Sequence, residues 1–247
     1  MLAVVQFYAA FVSPLVRPAM ALLALLGLWI GLRRTGLAAG TRTMTWLVIA
    51  LALLVWFVGA EQATQSGFYQ EHVVWMRPVG WLVGLLWLAV LLRSERMAMV
   101  LAATPAWWLI ALQVYRAAGG AVLLMTWALG RAPATIALPA GIGDCLVGLL
   151  ALPVAAYLWS GRPGAASIAI GWNILGLADF AIAVCIGTFV PFGLTYPAVM
   201  IPAFMAPLSV VFHGLSIWQI NSAARARVAN TIVGTSAEQR PHGAIIA

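Results

Sequence analysis

Four ionisable residues lie within stretches of the chain that are long and apolar enough to cross a lipid bilayer: Arg116, Asp144, Asp179 and His213. A charge at the centre of a membrane helix costs about 2.5–3.5 kcal/mol, so such residues normally face one another or a wet cavity. We therefore expect an internal polar cluster. Closely spaced ionisable groups are what a proton or ion path needs. The same groups would also serve as a ligand site or as a purely structural polar lock.

The helical rise of about 1.5 Å per residue gives each of these residues a predicted depth. Arg116 comes out at about 16 Å from the cytoplasmic edge and Asp179 at about 18 Å, so an ion pair between them is expected. Asp144 is placed only about 7 Å below the outer edge, and His213 falls in the inner third. The predicted arrangement is a vertical ladder, with Asp144 outermost, Arg116 and Asp179 in the middle, and Asn173 and His213 below them. The predicted ligand or ion path comprises six residues: Arg116, Asp144, Asp179, His213, Gln113 and Asn173.

The composition is that of a membrane protein. Hydrophobic residues make up 64% of the 247 and charged residues only 8%, whereas a soluble domain carries about 25% charged residues. The net charge of +7 comes from arginine alone, since the chain contains no lysine. These arginines are scattered over loops and a tail without a basic stripe, which argues against nucleic acid as a partner. The lipid bilayer is the expected partner.

Requiring about 20 apolar residues per span divides the chain into seven predicted membrane helices. They cover residues 8–32, 44–60, 73–92, 105–129, 139–159, 167–190 and 196–220. We therefore predict an all-α, polytopic transmembrane bundle, with residues 1–220 as one domain and 221–247 as a cytoplasmic, partly disordered tail. Pro14, Arg17 and Pro18 indicate a kinked or interfacial start to the first span. Residues 61–71 are expected to form a polar loop, a short extracellular lid.

The orientation follows from arginines in alternate loops and after the last span: Arg33, Arg34, Arg42, Arg93, Arg96, Arg162, Arg225, Arg227 and Arg240. The positive-inside rule places these residues on the cytoplasmic side. With seven spans, the C-terminus is then cytoplasmic and the N-terminus outside.

Glycines and prolines indicate how the helices pack. The pairs Gly27/Gly31 and Gly80/Gly84 have the GxxxG spacing that lets helices approach closely, and we interpret them as packing within the chain, with dimerisation as the minor alternative. The last span has three prolines five residues apart: Pro197, Pro202 and Pro207. Such prolines free backbone carbonyls that need other partners. They fit either a broken, flexible helix beside a cavity or a static kink.

The chain lacks the residues that several familiar membrane cofactors need. Without lysine, a retinal Schiff base cannot form. Haem held by two histidines would need a partner for His213 at the same depth, and His72 is placed at the outer end of its span. Cys145 and Cys185 are best interpreted as core residues, with a thiol pair or soft-metal site as the minor alternative. The sequence leaves the cofactor unknown, and it shows no metal-ligand set and no nucleophile–base pair, so an enzymatic role is not favoured.

The second half of the chain resembles an uncharacterised group of bacterial multi-spanning membrane proteins. The matching motifs begin or end at the predicted site residues: Arg116-Ala-Ala-Gly-Gly, Pro139-Ala-Gly-Ile-Gly-Asp144, Trp172-Asn-Ile-Leu-Gly-Leu-Ala-Asp179, and Tyr196-Pro through Ile201-Pro-Ala-Phe204 and Pro207-Leu to His213. The resemblance covers about Gln113 to Ser216 and omits the first three spans. It implies that these residues form a set, and that the protein lies in the bacterial inner membrane. It implies no activity or substrate.

Two functions remain open on this sequence. The first is proton-coupled or small-solute transport, or ligand binding in the membrane, with Asp179 and Asp144 as proton or cation sites and Arg116 as their counter-charge. The second is a non-catalytic accessory or scaffold subunit of a larger membrane complex, suggested by short loops and many small-residue helix faces. In that case other membrane subunits would be partners as well.

Overall fold

The computed structural model describes residues 13–190 and 199–238, and all regular structure in these residues is helical. The first half contains α1 (Ser13–Arg34), α2 (Ala39–Gln65), α3 (Phe68–Glu71), α4 (Val73–Arg93) and α5 (Glu95–Ala103). The second half contains α6 (Ala106–Ala111), a 3₁₀ turn (Leu112–Tyr115), α7 (Arg116–Ala128), α8 (Ala134–Trp159), α9 (Ala165–Phe189), a π-helical turn (Ile201–Met205) and α10 (Ala206–Glu238). The predicted all-α bundle is confirmed.

Six helical segments of the described residues are long and apolar enough to cross a membrane. They are Leu15–Arg34, Ala39–Gln65, Ala106–Ala128, Ala134–Trp159, Ala165–Gly187 and Ile201–Ala226. The remaining predicted span, 73–92, coincides with the 21-residue helix α4, and among the residues whose side chains the structure describes, this helix contributes the apolar segment Val79–Arg93. Six of the seven predicted spans therefore have full-length counterparts.

Three predicted boundaries change. Residues 61–71 do not form an open lid, because α2 continues to Gln65 and α3 begins at Phe68, with Gly67 in the left-handed region at φ 80° between them. The fifth span begins at Ala134 rather than at Pro139, which lies inside α8. The last helix continues past the predicted end of the span, at residue 220, to Glu238. Residues 8–12, 191–198 and 239–247 of the predicted spans and tail lie outside the described residues.

The outward faces of the helices are apolar. Only 11% of the apolar window of α2 is buried, and its exposed side chains include Leu47, Leu51, Leu54 and Val58. A soluble monomer rarely exposes a continuous apolar surface of this kind. Lipid contact is therefore the expected environment of this face.

The GxxxG glycines pack within the chain, as predicted. A Cβ atom on Gly27 would overlap the indole of Trp108, and one on Gly31 would lie 2.9 Å from Cγ1 of Val100. Gly80 faces the backbone of Pro202, and Gly84 lies against Pro207. Gly27, Gly80 and Gly84 therefore hold the first half of the chain against the second, whereas Gly31 packs against α5.

The closest backbone approach that concerns the site joins α7 and α8. A Cβ on Gly120 would lie 2.7 Å from the backbone nitrogen of Cys145, and one on Gly148 would overlap the backbone of Ala117. Because these glycines carry no side chain, the two helices come close enough for Arg116, at the start of α7, to reach Asp144 in α8.

We expect Gly120→Ala to destabilise the protein by about 1–3 kcal/mol, the usual effect of overpacking a close contact. The matched control is Gly59→Ala in α2, where a Cβ would meet no atom within 4 Å. Since alanine is the better helix former by about 1 kcal/mol, the control should unfold at the same or a higher temperature. Thermal unfolding in mild detergent measures both. Equal melting temperatures for the two variants would contradict the close approach of α7 and α8.

Candidate functional site

Arg116 is the centre of a buried polar cluster. Its guanidinium donates from Nε to Asp144 Oδ1 at 2.7 Å and from Nη2 to Asp179 Oδ2. Nη1 lies 3.3 Å from the carbonyl oxygen of Gly176 and 3.1 Å from Nε2 of His213. The side chain of Arg116 is 1% exposed, and those of Asp144 and Asp179 are 8% and 10% exposed. Four helices thus converge on one guanidinium.

The partners of His213 define its protonation state. Arg116 only donates hydrogen bonds, so Nε2 of His213 must accept and carries no proton. Nδ1 lies 2.8 Å from Oδ1 of Asn173, and an amide oxygen only accepts, so Nδ1 carries the proton. The amide nitrogen of Asn173 donates to the carbonyl of Ala169 at 2.8 Å and to Oγ of Ser216 at 3.1 Å. This network assigns a neutral imidazole to His213.

Aromatic rings close the cluster on two sides. The guanidinium carbon of Arg116 lies 3.9 Å from the ring centroid of Phe180, within the range of a cation–π contact. The ring of Trp172 lies 5.1 Å from that of His213. These rings limit the access of water to Arg116 and His213.

A second network lies beside the first, where the 3₁₀ turn meets the π turn. Gln113 accepts from Oγ of Ser209 at 2.6 Å and donates to the backbone carbonyl of Ser209 at 3.1 Å. The hydroxyl of Tyr115 donates to the carbonyl of Met205, the last residue of the π turn, at 3.0 Å and also contacts Oγ of Ser209. Gln113 is therefore linked to Arg116 through the backbone of the 3₁₀ turn, with no direct hydrogen bond seen between their side chains.

The structure brings five of the six predicted site residues into one hydrogen-bonded cluster and places Gln113 next to it. The expected ion pair between Arg116 and Asp179 is present. The predicted shallow position of Asp144, above Arg116, is wrong, because its Oδ1 accepts from Nε of Arg116 at 2.7 Å. The helix α8 begins at Ala134, so Asp144 lies about 15 Å from that start along the helix axis. Asp144 therefore lies level with Arg116, and the predicted ladder is replaced by a compact cluster.

Two glycines make room for the cluster. A Cβ on Gly143 would overlap the carboxyl group of Asp179. A Cβ on Gly176 would overlap the His213 ring and lie 3.0 Å from Nη1 of Arg116. The predicted site omitted both glycines, as well as Tyr115 and Phe180. The proximity of Gly143 to Asp144, and of Gly176 to Asp179, is the only signal in the sequence that could have pointed to the glycines.

The carboxyl groups face a cavity of about 70 Å³. Its walls are apolar and come from α4, α7, α8, α9, the π turn and the start of α10: Trp81, Leu123, Ile136, Ala140, Phe180, Ala183, Val184, Ile201, Pro202 and Ala206. Asp144 and Asp179 are its only acidic lining residues in the described part of the chain. The two cysteines are free, with Cys185 exposed and Cys145 only partly buried.

The cluster contains one more acid than base. Arg116 contributes one positive charge, Asp144 and Asp179 contribute two negative charges when both are ionised, and His213 is neutral. Like-charged carboxylates that share one site favour retention of a proton by one of them. The cluster therefore needs one further positive charge, a proton or another cation, to be neutral.

Together these features define a helical protein with six membrane-length apolar helices and a buried Arg–Asp–Asp–His cluster. The chain belongs to the family of the domain of unknown function DUF8737, whose model matches residues 69–221. The matched region begins within α3 and includes all six predicted site residues. Comparison with curated proteins and with solved structures gave no match.

Proposed function

We propose that this chain is a proton-coupled transport or ligand-binding protein of the bacterial plasma membrane, with Arg116, Asp144 and Asp179 as its site. The single observation that carries this proposal is the arginine bonded to two carboxyl groups in an otherwise apolar bundle, with one negative charge in excess. Ionisable residues at membrane depth are functional sites by default, because their burial is costly.

The charge imbalance gives the cluster two states. With a proton on one carboxyl group the three charged residues are neutral together, and without it they carry a net negative charge. Loss of the proton at membrane depth is unfavourable unless a cation replaces it. A site of this kind can therefore exchange a proton for a positively charged solute, or release its proton when the cavity is wetted.

The cluster has different surroundings on its two sides. On one side the carboxyl groups line the cavity between α4, α7, α8 and α9. On the other side, hydrogen bonds continue from His213 through Asn173 to Ser216. Because both nitrogens of His213 are occupied, this side holds the cluster in place, and the carboxyl groups facing the cavity are the exchangeable part.

The arginine distribution supports an orientation in which the C-terminus is cytoplasmic and the N-terminus outside. In that orientation, the cavity lies toward the outer ends of α7 and α9, because Leu123 and Val184 belong to the C-terminal parts of these helices. We therefore place the entrance to the carboxyl groups on the outer side.

We expect Asp179→Asn to abolish pH-driven proton movement, because this change removes an exchangeable carboxyl group and leaves Arg116 with a single acid. The full-length chain is reconstituted in liposomes that contain a pH-sensitive dye, and a pH gradient is imposed. The variant should give the rate of protein-free liposomes. The matched control is Glu95→Gln, the same change at the exposed start of α5, which should keep the full rate.

Asp179→Glu separates loss of function from loss of folding, since it keeps the charge and should retain part of the flux. Full flux in Asp179→Asn would overturn the proposal. So would a wild-type protein, monodisperse in detergent, that gives no flux and no response to any cation.

A further inference from the structure

We infer that the cavity beside Asp144 and Asp179 binds a small organic monocation, an alkylammonium of one to a few carbon atoms. This inference rests on the proposed function and names the substrate class of the same site. The bound cation would take the place of the proton that neutralises the cluster.

The carboxyl groups have acceptor capacity left for such a ligand. Arg116 takes Oδ1 of Asp144 and Oδ2 of Asp179. In the described part of the chain, each carboxyl group is hydrogen-bonded through that oxygen only. An ammonium group has two or three N–H donors, and charge-assisted hydrogen bonds to a carboxylate are about twice as strong as neutral ones. Asp144 and Asp179 both line the cavity, so a single ammonium group can approach both residues from there.

The walls of the cavity favour an organic cation over a metal ion. Trp81 and Phe180 line the cavity with their rings 6.1 Å apart in an edge-to-face arrangement, and aromatic faces attract organic cations. The remaining lining side chains are aliphatic. Hard metal ions need about six oxygen ligands, and the described residues contain no group of three or more His, Cys, Asp or Glu residues that could hold one.

The volume of the cavity limits the size of the ligand. An apolar cavity of about 150 Å³ accommodates benzene, and this cavity has about 70 Å³. A ligand of about half the size of benzene, such as methylammonium or ethylammonium, therefore fits. Tetraethylammonium does not, and it also lacks the N–H donors that the carboxyl groups would accept.

The exchange is balanced in charge and atoms. Before binding, one proton is bound to one of the two carboxyl groups, that of Asp144 or that of Asp179. On binding, the ammonium group donates to the carboxylates and that proton leaves to the solvent. One proton is released for each cation bound, with no covalent bond of the ligand changed.

The test uses the full-length chain in mild detergent and isothermal titration calorimetry with ethylammonium chloride. Titrations in two buffers of different ionisation enthalpy give the number of protons released. We expect saturable binding with release of close to one proton per cation, and affinity that falls about tenfold for each unit decrease in pH at acidic pH, as linkage to one proton requires. Sodium chloride and tetraethylammonium chloride at the same concentrations should give no binding heat.

Cavity variants test the location without touching the cluster. Ala183→Leu fills the cavity from α9 and should abolish ethylammonium binding. The matched control, Ala181→Leu, adds the same atoms at an exposed position of the same helix and should bind as the wild type does. Binding that survives Ala183→Leu, equal binding of tetraethylammonium, or binding without proton release would overturn the inference.

The two proposals fail in different ways. Proton flux that depends on Asp179, without ethylammonium binding, overturns the substrate class and leaves the proposed function standing. Ethylammonium binding with proton release, without flux in liposomes, supports the ligand class and reduces the function to binding.

Discussion

Arg116→Leu should leave the protein unable to fold stably. The change removes the only positive charge in the cluster. It leaves Asp144 and Asp179, whose side chains are 8% and 10% exposed, without a partner of opposite charge. Removing one partner of a buried ion pair costs about 3–5 kcal/mol, which is a large part of the stability of a typical domain. We expect a strongly reduced yield of monodisperse protein and a large fall in melting temperature, measured by size-exclusion chromatography after heating.

The matched control neutralises the acids as well. Arg116→Leu combined with Asp144→Asn and Asp179→Asn leaves no unpaired charge, so this triple variant should recover much of the lost yield. Arg116→Leu with Asp179→Asn alone should recover less, because the carboxylate of Asp144 then stays buried without a positive partner. Equal yields for the single, double and triple variants would show that Arg116 does not pair with these acids.

Gly176→Ala should have the second largest effect, out of proportion to one added methyl group. The new Cβ would overlap the imidazole of His213 and approach Nη1 of Arg116 to 3.0 Å, so the two side chains would have to separate. Overpacking of this kind costs about 1–3 kcal/mol, and here it also breaks a hydrogen bond that involves a charged group, worth about 1.5–3 kcal/mol. Thermal unfolding in detergent measures the total.

The chain offers a control on the same helix. Gly171→Ala adds the same atom at a position in α9 where a Cβ meets nothing within 4 Å, and alanine is the better helix former. This variant should be as stable as the wild type or more so. If Gly176→Ala and Gly171→Ala had the same melting temperature, the close contact of α9 with Arg116 and His213 would be wrong.

The cluster could be predicted from the sequence because a charged residue in an apolar span is costly unless it has a partner. The predicted depths of Arg116 and Asp179 in the membrane are similar, which predicts an ion pair between them. The structure contains this pair. The predicted depth of Asp144 is wrong because a helix start at Pro139 leaves out the first five residues of α8, which begins at Ala134. A proline one turn and a half into a helix removes a single backbone hydrogen bond, which α8 tolerates, so the true start at Ala134 left no strong signal.

Other parts of the site depend on backbone geometry that no residue pattern encodes. The carbonyl of Gly176 faces Arg116, and that of Met205 accepts from Tyr115, yet every residue has a carbonyl. The predicted lid at 61–71 is wrong for a different reason. Polar residues favour a loop there, but glutamate and glutamine are also good helix formers, and Glu61, Gln62 and Gln65 belong to the last turns of α2.

The π turn before α10 gives the bundle a place where helical register can change. Its hydrogen bonds close one residue further along the chain than those of an α-helix. Tightening this turn to α-helical pitch would shift its first residues relative to α10 by one position, about 1.5 Å along the axis and 100° around it. Ile201 and Pro202, which line the cavity, would rotate, while Ser209 and His213 on α10 would keep their partners. In this fold the cavity can therefore change its width while the hydrogen bonds of the charged cluster stay intact.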